Sequence, residues 1–287
     1  MLAARWRLLD SGAADGATNM ATDHALLDRA ATSNEAVLRI YSWSRPTLSF
    51  GLHEKARIGQ PALSTHGVDV VRRPTGGRAL LHHREVTYSV TAPLPAAATP
   101  VGLGESYRVI NAILRDALAR LGVQADEAPR RGRASSPDGA PCFAEPNVGE
   151  LVVNGRKLVG SAQRRDERAL LQHGSILLGD DQAMIAVLRG DDAPLALSVP
   201  IVPSVPSVPS AATLNDALGR EVVYSEVRDA LVAALVAALV AALGAVPGAV
   251  PGAAAAAPIA LLSPDTLAPG IAAHLTQYRS SEWTWRR

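Results

Sequence analysis

The sequence predicts an α/β (α+β) fold: a mixed β-sheet flanked by helices on one side. Short runs rich in β-branched residues recur between residues 5 and 178 and partly alternate apolar with polar positions, as strands do. Two longer segments place apolar residues at helical spacing. Beyond residue 188 the composition shifts to Pro-, Ser- and Ala-rich tracts. We therefore predict a core over residues 1–190 and, over 191–287, a helical C-terminal part of the same domain with low-complexity insertions.

The individual elements follow from these patterns in chain order. Strands are predicted over residues 36–41, 47–51, 68–72, 85–91, 150–153, 156–162 and 170–178. Helices are predicted over 21–30 and 106–121, and Thr18 or Asn19 is expected to cap the first of them. Both helices have one apolar face, so each can cover a sheet.

A leucine at every fourth position marks a third helix near the C-terminus. Leu231, Leu235, Leu239 and Leu243 lie in an Ala/Val background with strong helix propensity. The uncharged run over 230–246 is shorter than the roughly 20 residues that span a bilayer. We therefore predict a helix packed on the sheet rather than a membrane segment.

Composition excludes several classes of protein. Lys and Arg total 28 against 27 Asp and Glu, so the net charge of +1 gives no overall attraction to nucleic acid or to an anionic membrane. The arginines at 130, 131 and 133 lack interleaved aromatic residues, and an acidic carrier protein is a simpler partner for them than RNA. One cysteine cannot form an internal disulfide, and residues 1–10 lack the apolar run of a signal peptide. A cytoplasmic monomer with a free thiol is expected.

A glycine pair between two predicted strands is the first candidate site. Gly76 and Gly77 would let the backbone approach a bound group and direct N–H donors at an oxyanion or phosphate. Arg72, Arg73 and Arg78 could add positive charge. An ordinary hairpin turn with solvated arginines explains the same residues equally well.

The single cysteine and a lysine form the second candidate site. Asn154-Gly155 predicts a tight hairpin turn, which places Lys157 at the start of the next strand. The segment 128–141 is rich in Arg, Ser, Pro and Gly and predicts a loop that brings Cys142 to the following strand. A lysine ammonium near a thiol favours the nucleophilic thiolate. Each residue also has an ordinary explanation: a buried small thiol for Cys142 and a solvated strand lysine for Lys157.

His173 and Gly174 form the third candidate site, where a glycine would permit close approach of a ligand and Ser175 could hydrogen-bond it. The alternative is a core histidine whose hydrogen bonds are satisfied within the protein.

No metal site is predicted, because the seven histidines and one cysteine show no ligand spacing, and His82 and His83 should point to opposite faces of a strand. A Ser-His-Asp hydrolase is excluded because the Gly-x-Ser-x-Gly turn is absent.

Taken together, these motifs resemble the lipoate–protein ligase and octanoyltransferase family, whose catalytic fold is shared with biotin–protein ligases. Residues 72–78 read Arg-Arg-Pro-Thr-Gly-Gly-Arg and are followed by His82 and by 87–89, Thr-Tyr-Ser. Residues 154–163 read Asn-Gly-Arg-Lys-Leu-Val-Gly-Ser-Ala-Gln, and 171–175 read Leu-Gln-His-Gly-Ser. The resemblance covers residues 6–178 well and the C-terminal part loosely.

Cys142, fifteen positions before Lys157, is similar to the cysteine of one octanoyltransferase branch. The resemblance implies that Cys142 takes octanoyl from octanoyl-acyl carrier protein as a thioester and passes it to a lysine of a lipoyl domain, with the glycine-cleavage H protein as the expected acceptor. Because a thioester is already activated, no cofactor is expected. Cys142 and Lys157 are the expected catalytic residues, and the expected substrate-binding residues are Arg72, Gly76, Gly77, Arg78, His82, Gly160, Ser161, Ala162, Gln163, His173 and Gly174.

The acyl chain needs an apolar lining, since each buried methylene contributes about 0.8 kcal/mol. Strand residues near Val70, Leu80 and Val159 are predicted to supply it. Asn147-Val148-Gly149 stands where the branch usually has an aromatic-containing segment, which leaves acyl-chain length open.

Three other functions fit the same residues. In an ATP-dependent lipoate ligase, which would need ATP and Mg, the loop with Gly76 and Gly77 would hold an acyl-adenylate and Cys142 would be incidental. In an amidotransferase, the donor would be a second lipoyl domain. A non-catalytic module would hold acyl groups or lipoylated domains without transferring them.

Overall fold

The structure is a computed structural model that describes residues 5–94, 103–129, 143, 146–189, 211–244 and 259–286. Its strands are β1 (Arg5–Ala14), β2 (Glu35–Trp43), β3 (Thr47–Phe50), β4 (Asp69–Arg72), β5 (Leu80–His82), β6 (Glu85–Pro93), β7 (Asp126–Glu127), β8 (Leu151–Val153), β9 (Arg156–Arg165), β10 (Ala169–Leu177) and β11 (Ala260–Leu261). Its helices are α1 (Gly16–Thr32), α2 (Gln60–Thr65), α3 (Leu103–Arg120), α4 (Met184–Arg189), α5 (Leu214–Leu218), α6 (Tyr224–Gly244), α7 (Ala268–Arg279) and α8 (Ser281–Trp285).

Two sheets organise the fold. The larger is mixed, with eight strands in the order β11-β1-β2-β6-β10-β9-β8-β7, and the smaller has the order β4-β3-β5. In the large sheet β1 pairs in parallel with β2 and β11. All the other neighbouring strands of this sheet pair in the antiparallel direction. In the small sheet β3 separates β4 from β5. The segment 73–79 that joins β4 to β5 therefore passes over the end of β3 and is not a hairpin turn.

Helices cover both faces of the large sheet, so the expectation of helices on one side is wrong. Every residue of β2 except Ser42 is buried, which requires a covered surface on each face. Leu38 packs in the main core with residues of α3 and α6. Its neighbour Arg39 points to the opposite face and bonds Asp23 of α1.

All seven predicted strands are present, with ends shifted by up to three residues. The predicted turn is also confirmed: Asn154 has φ 51° and Gly155 has φ 75°, as a tight hairpin between β8 and β9 requires. Strand β1 was not predicted, because its apolar and polar residues do not alternate regularly. Its position is decided by parallel pairing with β2, a contact that no local pattern encodes.

Helix α1 begins earlier than predicted, at Gly16. Its N-cap is Asp15, whose carboxylate accepts the backbone N–H of Thr18, so neither Thr18 nor Asn19 is the cap. Helix α6 packs on α3 and buries Leu231 and Leu235 in the main core, which confirms the predicted packed helix. Within the described ranges, no helix is long and apolar enough to cross a membrane.

Candidate active site

A cavity of about 790 Å³ opens between the two sheets. Its wall is formed by the glycine segment, by the central strands of the large sheet and by the turn before β8. The lining includes Met20, Tyr41, Trp43, Arg78, Leu80, His82, Thr87, Asn147, Glu150, Gly160, Ser161, His173, Gly174 and Ser175. Most of the predicted binding residues therefore lie around one space.

The glycine segment, residues 73–79 between β4 and β5, packs closely against the end of β3. Gly77 has φ 94°, a left-handed conformation that favours glycine. A Cβ atom built on Gly51 would lie 1.9 Å from the carbonyl oxygen of Gly77, so the two backbones touch. The buried guanidinium of Arg73 donates to the carbonyl oxygens of Ser49, Gly76 and Arg78. Gly77 and Arg78 consequently reach the cavity in a fixed position.

The structure places three of the predicted binding residues outside the cavity lining: Arg72, Gly76 and Gln163. Arg72 is fully buried and donates to the carbonyl oxygens of Gly51, Glu54 and Thr284. It therefore braces the chain behind the glycine segment. Gln163 bonds the side chains of Ser106 and Gln172.

Arg78 has spare hydrogen-bonding capacity at the cavity wall. It is 4% exposed, and its Nη2 has no hydrogen-bond partner among the described residues. A buried guanidinium N–H without a partner costs free energy, on the order of 1–3 kcal/mol. A carbonyl or phosphate oxygen is the kind of acceptor that would satisfy this N–H.

Lys157 is a buried cation that lies outside the cavity lining, next to Glu150, which lines the cavity. It has no exposed surface, and its Nζ lies 2.7 Å from Oε1 of Glu150. Its Nζ also lies 4.6 Å from the ring centroid of Phe143, which is itself fully buried. Cys142 lies outside the described residues, but Phe143, the next residue in the chain, is anchored against Lys157.

Two glycines make room for this lysine. A Cβ atom on Gly160 would lie 2.8 Å from Cε of Lys157 and 3.0 Å from Cζ of Phe143. A Cβ atom on Gly174 would lie 2.4 Å from the carbonyl oxygen of Gly160. The Gly-Ser-Ala and His-Gly-Ser motifs thus supply close packing of β9, β10 and Lys157.

His173 belongs to a buried network centred on Asp23 of α1. Its Nδ1 lies 2.9 Å from Oδ2 of Asp23, and its Nε2 lies 2.6 Å from Oγ1 of Thr75. Asp23 also accepts hydrogen bonds from Arg39 and Tyr41. Burial raises the pKa of Asp23, but the charge of Arg39 and the hydrogen bond from His173 outweigh it, and the pKa falls to about 2.

The same network sets the tautomer of His173. Burial lowers the pKa of His173, although Asp23 opposes this, so the ring is neutral at neutral pH. An ionised Asp23 then requires the proton on Nδ1, and Nε2 accepts the hydroxyl proton of Thr75. His173 therefore ties the glycine segment to α1.

His82 belongs to a second network of hydrogen bonds at the cavity. Its ring stacks on Trp43 at 3.9 Å, its Nδ1 lies 2.8 Å from Glu85 and its Nε2 lies 2.8 Å from Ser49. His83, its neighbour, is exposed, which confirms that the two rings point to opposite faces. Sequence reasoning did not single out Glu85 or Glu150, because one glutamate beside a strand is normally solvated.

Comparison with known proteins agrees with this geometry. A model of the lipoyl protein ligase A/B catalytic domain matches residues 15–236. Octanoyltransferase LipM of Kyrpidia tusciae is 47% identical over 193 residues, which cover 64% of this chain and 70% of that protein. Octanoyltransferase LipM of Carboxydothermus hydrogenoformans is 39% identical over 232 residues, covering 79% and 84% of the two chains.

A solved structure shares the fold at low sequence identity. The bipartite lipoate protein ligase of Thermoplasma acidophilum, analysed together with its E2 lipoyl domain, aligns with a TM-score of 0.68 at 18% identity. The alignment covers 98% of this chain and 96% of that one. The mixed sheets and flanking helices are therefore the architecture of a lipoate ligase, as the sequence motifs predicted.

Proposed function

The chain belongs to the family of lipoyl protein ligase A/B catalytic domains, and we propose how it performs octanoyl transfer in protein lipoylation: Cys142 holds the octanoyl group as a thioester between donor and acceptor. The single observation that carries this route is the buried Lys157–Glu150 pair at the cavity, with Phe143 packed against it. A lysine ammonium close to a thiol favours the thiolate, and Phe143 is the residue that follows Cys142 in the chain.

The reaction has two balanced steps. The thiolate of Cys142 attacks the thioester carbonyl of the octanoyl donor, a new S–C bond forms, the C–S bond of the donor breaks, and the donor thiolate takes a proton from water. The neutral amine of an acceptor lysine then attacks the Cys142 thioester, an amide forms, the C–S bond to Cys142 breaks, the amine gives a proton to water, and the Cys142 thiolate is restored. Since the donor is already activated, neither ATP nor Mg is needed.

The cavity supports this route in two further ways. Nη2 of Arg78, for which the described part of the chain offers no hydrogen-bond partner, can bind an oxygen of the donor, and backbone N–H groups of the glycine segment can stabilise the tetrahedral oxyanion. Leu80, with Met20 and Trp43, supplies apolar lining for the acyl chain, whereas Val70 and Val159 lie outside the cavity lining.

The proposed donor is octanoyl-acyl carrier protein, and the proposed acceptor is a lysine of a lipoyl domain, the glycine-cleavage H protein in particular. The T. acidophilum ligase was analysed with an E2 lipoyl domain, which supports a lipoyl domain as the class of acceptor. Equal rates with H protein and with an E2 lipoyl domain would contradict the narrower choice. A lipoyl domain as a better octanoyl donor than the carrier protein would instead indicate an amidotransferase.

A transfer assay tests the route. The full chain is mixed with octanoyl-acyl carrier protein and an unmodified lipoyl domain, without ATP. We expect octanoylated acceptor from the unaltered chain and none from Cys142→Ala, while both still bind the carrier. Unchanged transfer by Cys142→Ala would contradict the thioester route, and a chain that binds but never transfers would be a binding module.

An ATP-dependent lipoate ligase is the second candidate, because the solved structure that shares the fold is a ligase. Its test is transfer from free lipoate. If acceptor is modified only when ATP and Mg are supplied, and Cys142→Ala is fully active, the ligase is correct and the transferase is not.

A further inference from the structure

Three side chains of the type that bind metals meet on the outer side of α1, away from the cavity. His24 and Asp28 come from α1, and His274 comes from α7. One donor atom from each lies within 4.8 Å of the other two. None of the three lines the cavity described above.

The helix geometry explains why these groups converge. His24 and Asp28 are four residues apart on α1, and such residues share one face of a helix. His274 faces them because α7 packs along α1. Asp28 and His274 are 246 residues apart in the chain, so ligand spacing in the sequence could not reveal the cluster, and no metal site was predicted there.

The donor atoms are already partly oriented. Nε2 of His274 lies 2.6 Å from Oδ2 of Asp28, and Nδ1 of His24 lies 3.1 Å from the hydroxyl of Tyr278. The contact with Tyr278 occupies Nδ1 of His24 and leaves Nε2 as the ring nitrogen available to an ion. A hydrogen bond to the second nitrogen is the usual way in which a metal-binding histidine is held in place.

Charge and exposure also allow a cation. Asp28 carries the negative charge of the cluster and is mostly exposed, while both histidines are half-buried. The other charges that act on His24 are Arg164 and Asp166, which have opposite signs. One carboxylate and two imidazoles are a ligand set that Zn²⁺ accepts, with water completing the coordination.

We propose that His24, Asp28 and His274 bind a transition-metal dication of the Zn²⁺ class, which fastens α7 to α1. At metal–ligand distances of about 2.0–2.1 Å, tetrahedral donors lie about 3.4 Å apart, so the 2.6 Å separation between His274 and Asp28 must lengthen when an ion binds. The imidazole rings stack at 3.9 Å with an interplanar angle of 10°. A rotation of the His24 ring about its side-chain bonds therefore accompanies binding.

The site has a structural consequence for the rest of the molecule. Helix α7 continues into α8, where the carbonyl oxygen of Thr284 accepts a hydrogen bond from Arg72. The indole of Trp283 donates to the backbone carbonyl of Arg72 in return. An ion that fastens α7 to α1 therefore stabilises the C-terminal segment that braces the glycine segment, without touching the reacting groups.

Metal binding to the full chain tests the proposal. Equilibrium dialysis with Zn²⁺ is expected to give one saturable equivalent, and Co²⁺ is expected to give visible absorption typical of nitrogen and oxygen ligands without a thiolate charge-transfer band. Asp28→Asn keeps the size of an exposed side chain and should weaken binding about 10-fold or more. His274→Ala should do the same and should abolish the rise in melting temperature caused by Zn²⁺.

His83→Ala is the matched control, because His83 also contacts a carboxylate, Asp181, on a different part of the surface. It should bind Zn²⁺ as the unaltered chain does. The proposal is overturned if the unaltered chain binds no saturable equivalent, or if Asp28→Asn and His274→Ala, with unaltered melting temperatures in metal-free buffer, bind as tightly as His83→Ala. A thiolate band with Co²⁺ that survives His274→Ala would place the ion on Cys142 instead and would also overturn it.

Discussion

At the residue scale, Gly160 controls where the ammonium of Lys157 lies. Because a Cβ atom there would lie within 3.1 Å of both Cε and Nζ of Lys157, Gly160→Ala must displace the lysine or Phe143. A displacement of about 1 Å costs on the order of 100-fold in rate. We therefore expect octanoyl transfer to fall about 100-fold while the chain stays folded, as circular dichroism would check.

Gly104→Ala is the control for this change, since nothing lies within 4 Å of a Cβ atom at Gly104. Its transfer rate should match that of the unaltered chain. A Gly160→Ala enzyme with full activity would show that the position of Lys157 does not limit the reaction.

Ionisation of Asp23 makes the free energy of unfolding depend on pH in the acid range. Its pKa is about 2 in the folded chain and near 3.8 when it is unperturbed, so the folded state favours the ionised form. The resulting stability, about 2 kcal/mol, is fully present above roughly pH 5 and is lost as the pH falls toward 2. Urea unfolding between pH 6 and pH 2.5 should show this loss.

Asp23→Asn supplies the comparison for the acid titration. This variant should be less stable at pH 6, because Arg39 and His173 lose their charged partner, and its free energy of unfolding should change less with pH. Parallel pH curves for the two chains would contradict the assignment of the low pKa to Asp23.

At the element scale, α6 contributes to stability through one buried face. Leu235 is 1% exposed and packs in the main core with residues of α3 and the sheet. Leu235→Ala should lower the free energy of unfolding by about 2–5 kcal/mol, measured by urea denaturation. Val236→Ala, at a half-buried position on the same helix, should cost clearly less. Equal effects would mean that this face of α6 is not packed as described.

Local patterns predicted most of the elements but not their partners. The leucines of α6, the turn at Asn154-Gly155 and the strands of the large sheet were predictable, because each has a short-range signature. Local patterns could not show that Gly76 and Gly77 do not form a hairpin turn. Strand β3 lies between β4 and β5, and this pairing joins residues that are far apart in the chain. The cap at Asp15 was missed because Asp, Thr and Asn are all acceptable caps within a few residues of one another.

The candidate site was also predicted in part: its motif residues were predictable from the sequence, but their contact partners were not. Gly77, Gly160, Gly174 and His173 were predicted from motifs, and all four line one cavity, whereas Gly76 does not. The partners that fix them were not predicted: Glu150 at Lys157, Glu85 at His82 and Thr75 at His173. A buried ion pair requires both groups to leave water together, and this depends on packing that a single sequence does not display.

At the scale of the whole molecule, the central claim is that Cys142 carries the octanoyl group between two carrier domains. Three features of the molecule support this chemistry: the cavity, the glycine segment braced by Arg72 and Arg73, and the buried Lys157–Glu150 pair. The C-terminal helices complete the brace, since α8 contacts Arg72 across 212 positions of the chain.

The most direct measurement is mass spectrometry of the intact chain after incubation with octanoyl-acyl carrier protein alone, without ATP. The account predicts one octanoyl group per chain, located on Cys142 by peptide mapping, and its complete removal when an unmodified lipoyl domain is added. Transfer to the lipoyl domain by a chain whose Cys142 stays unmodified throughout turnover would contradict it.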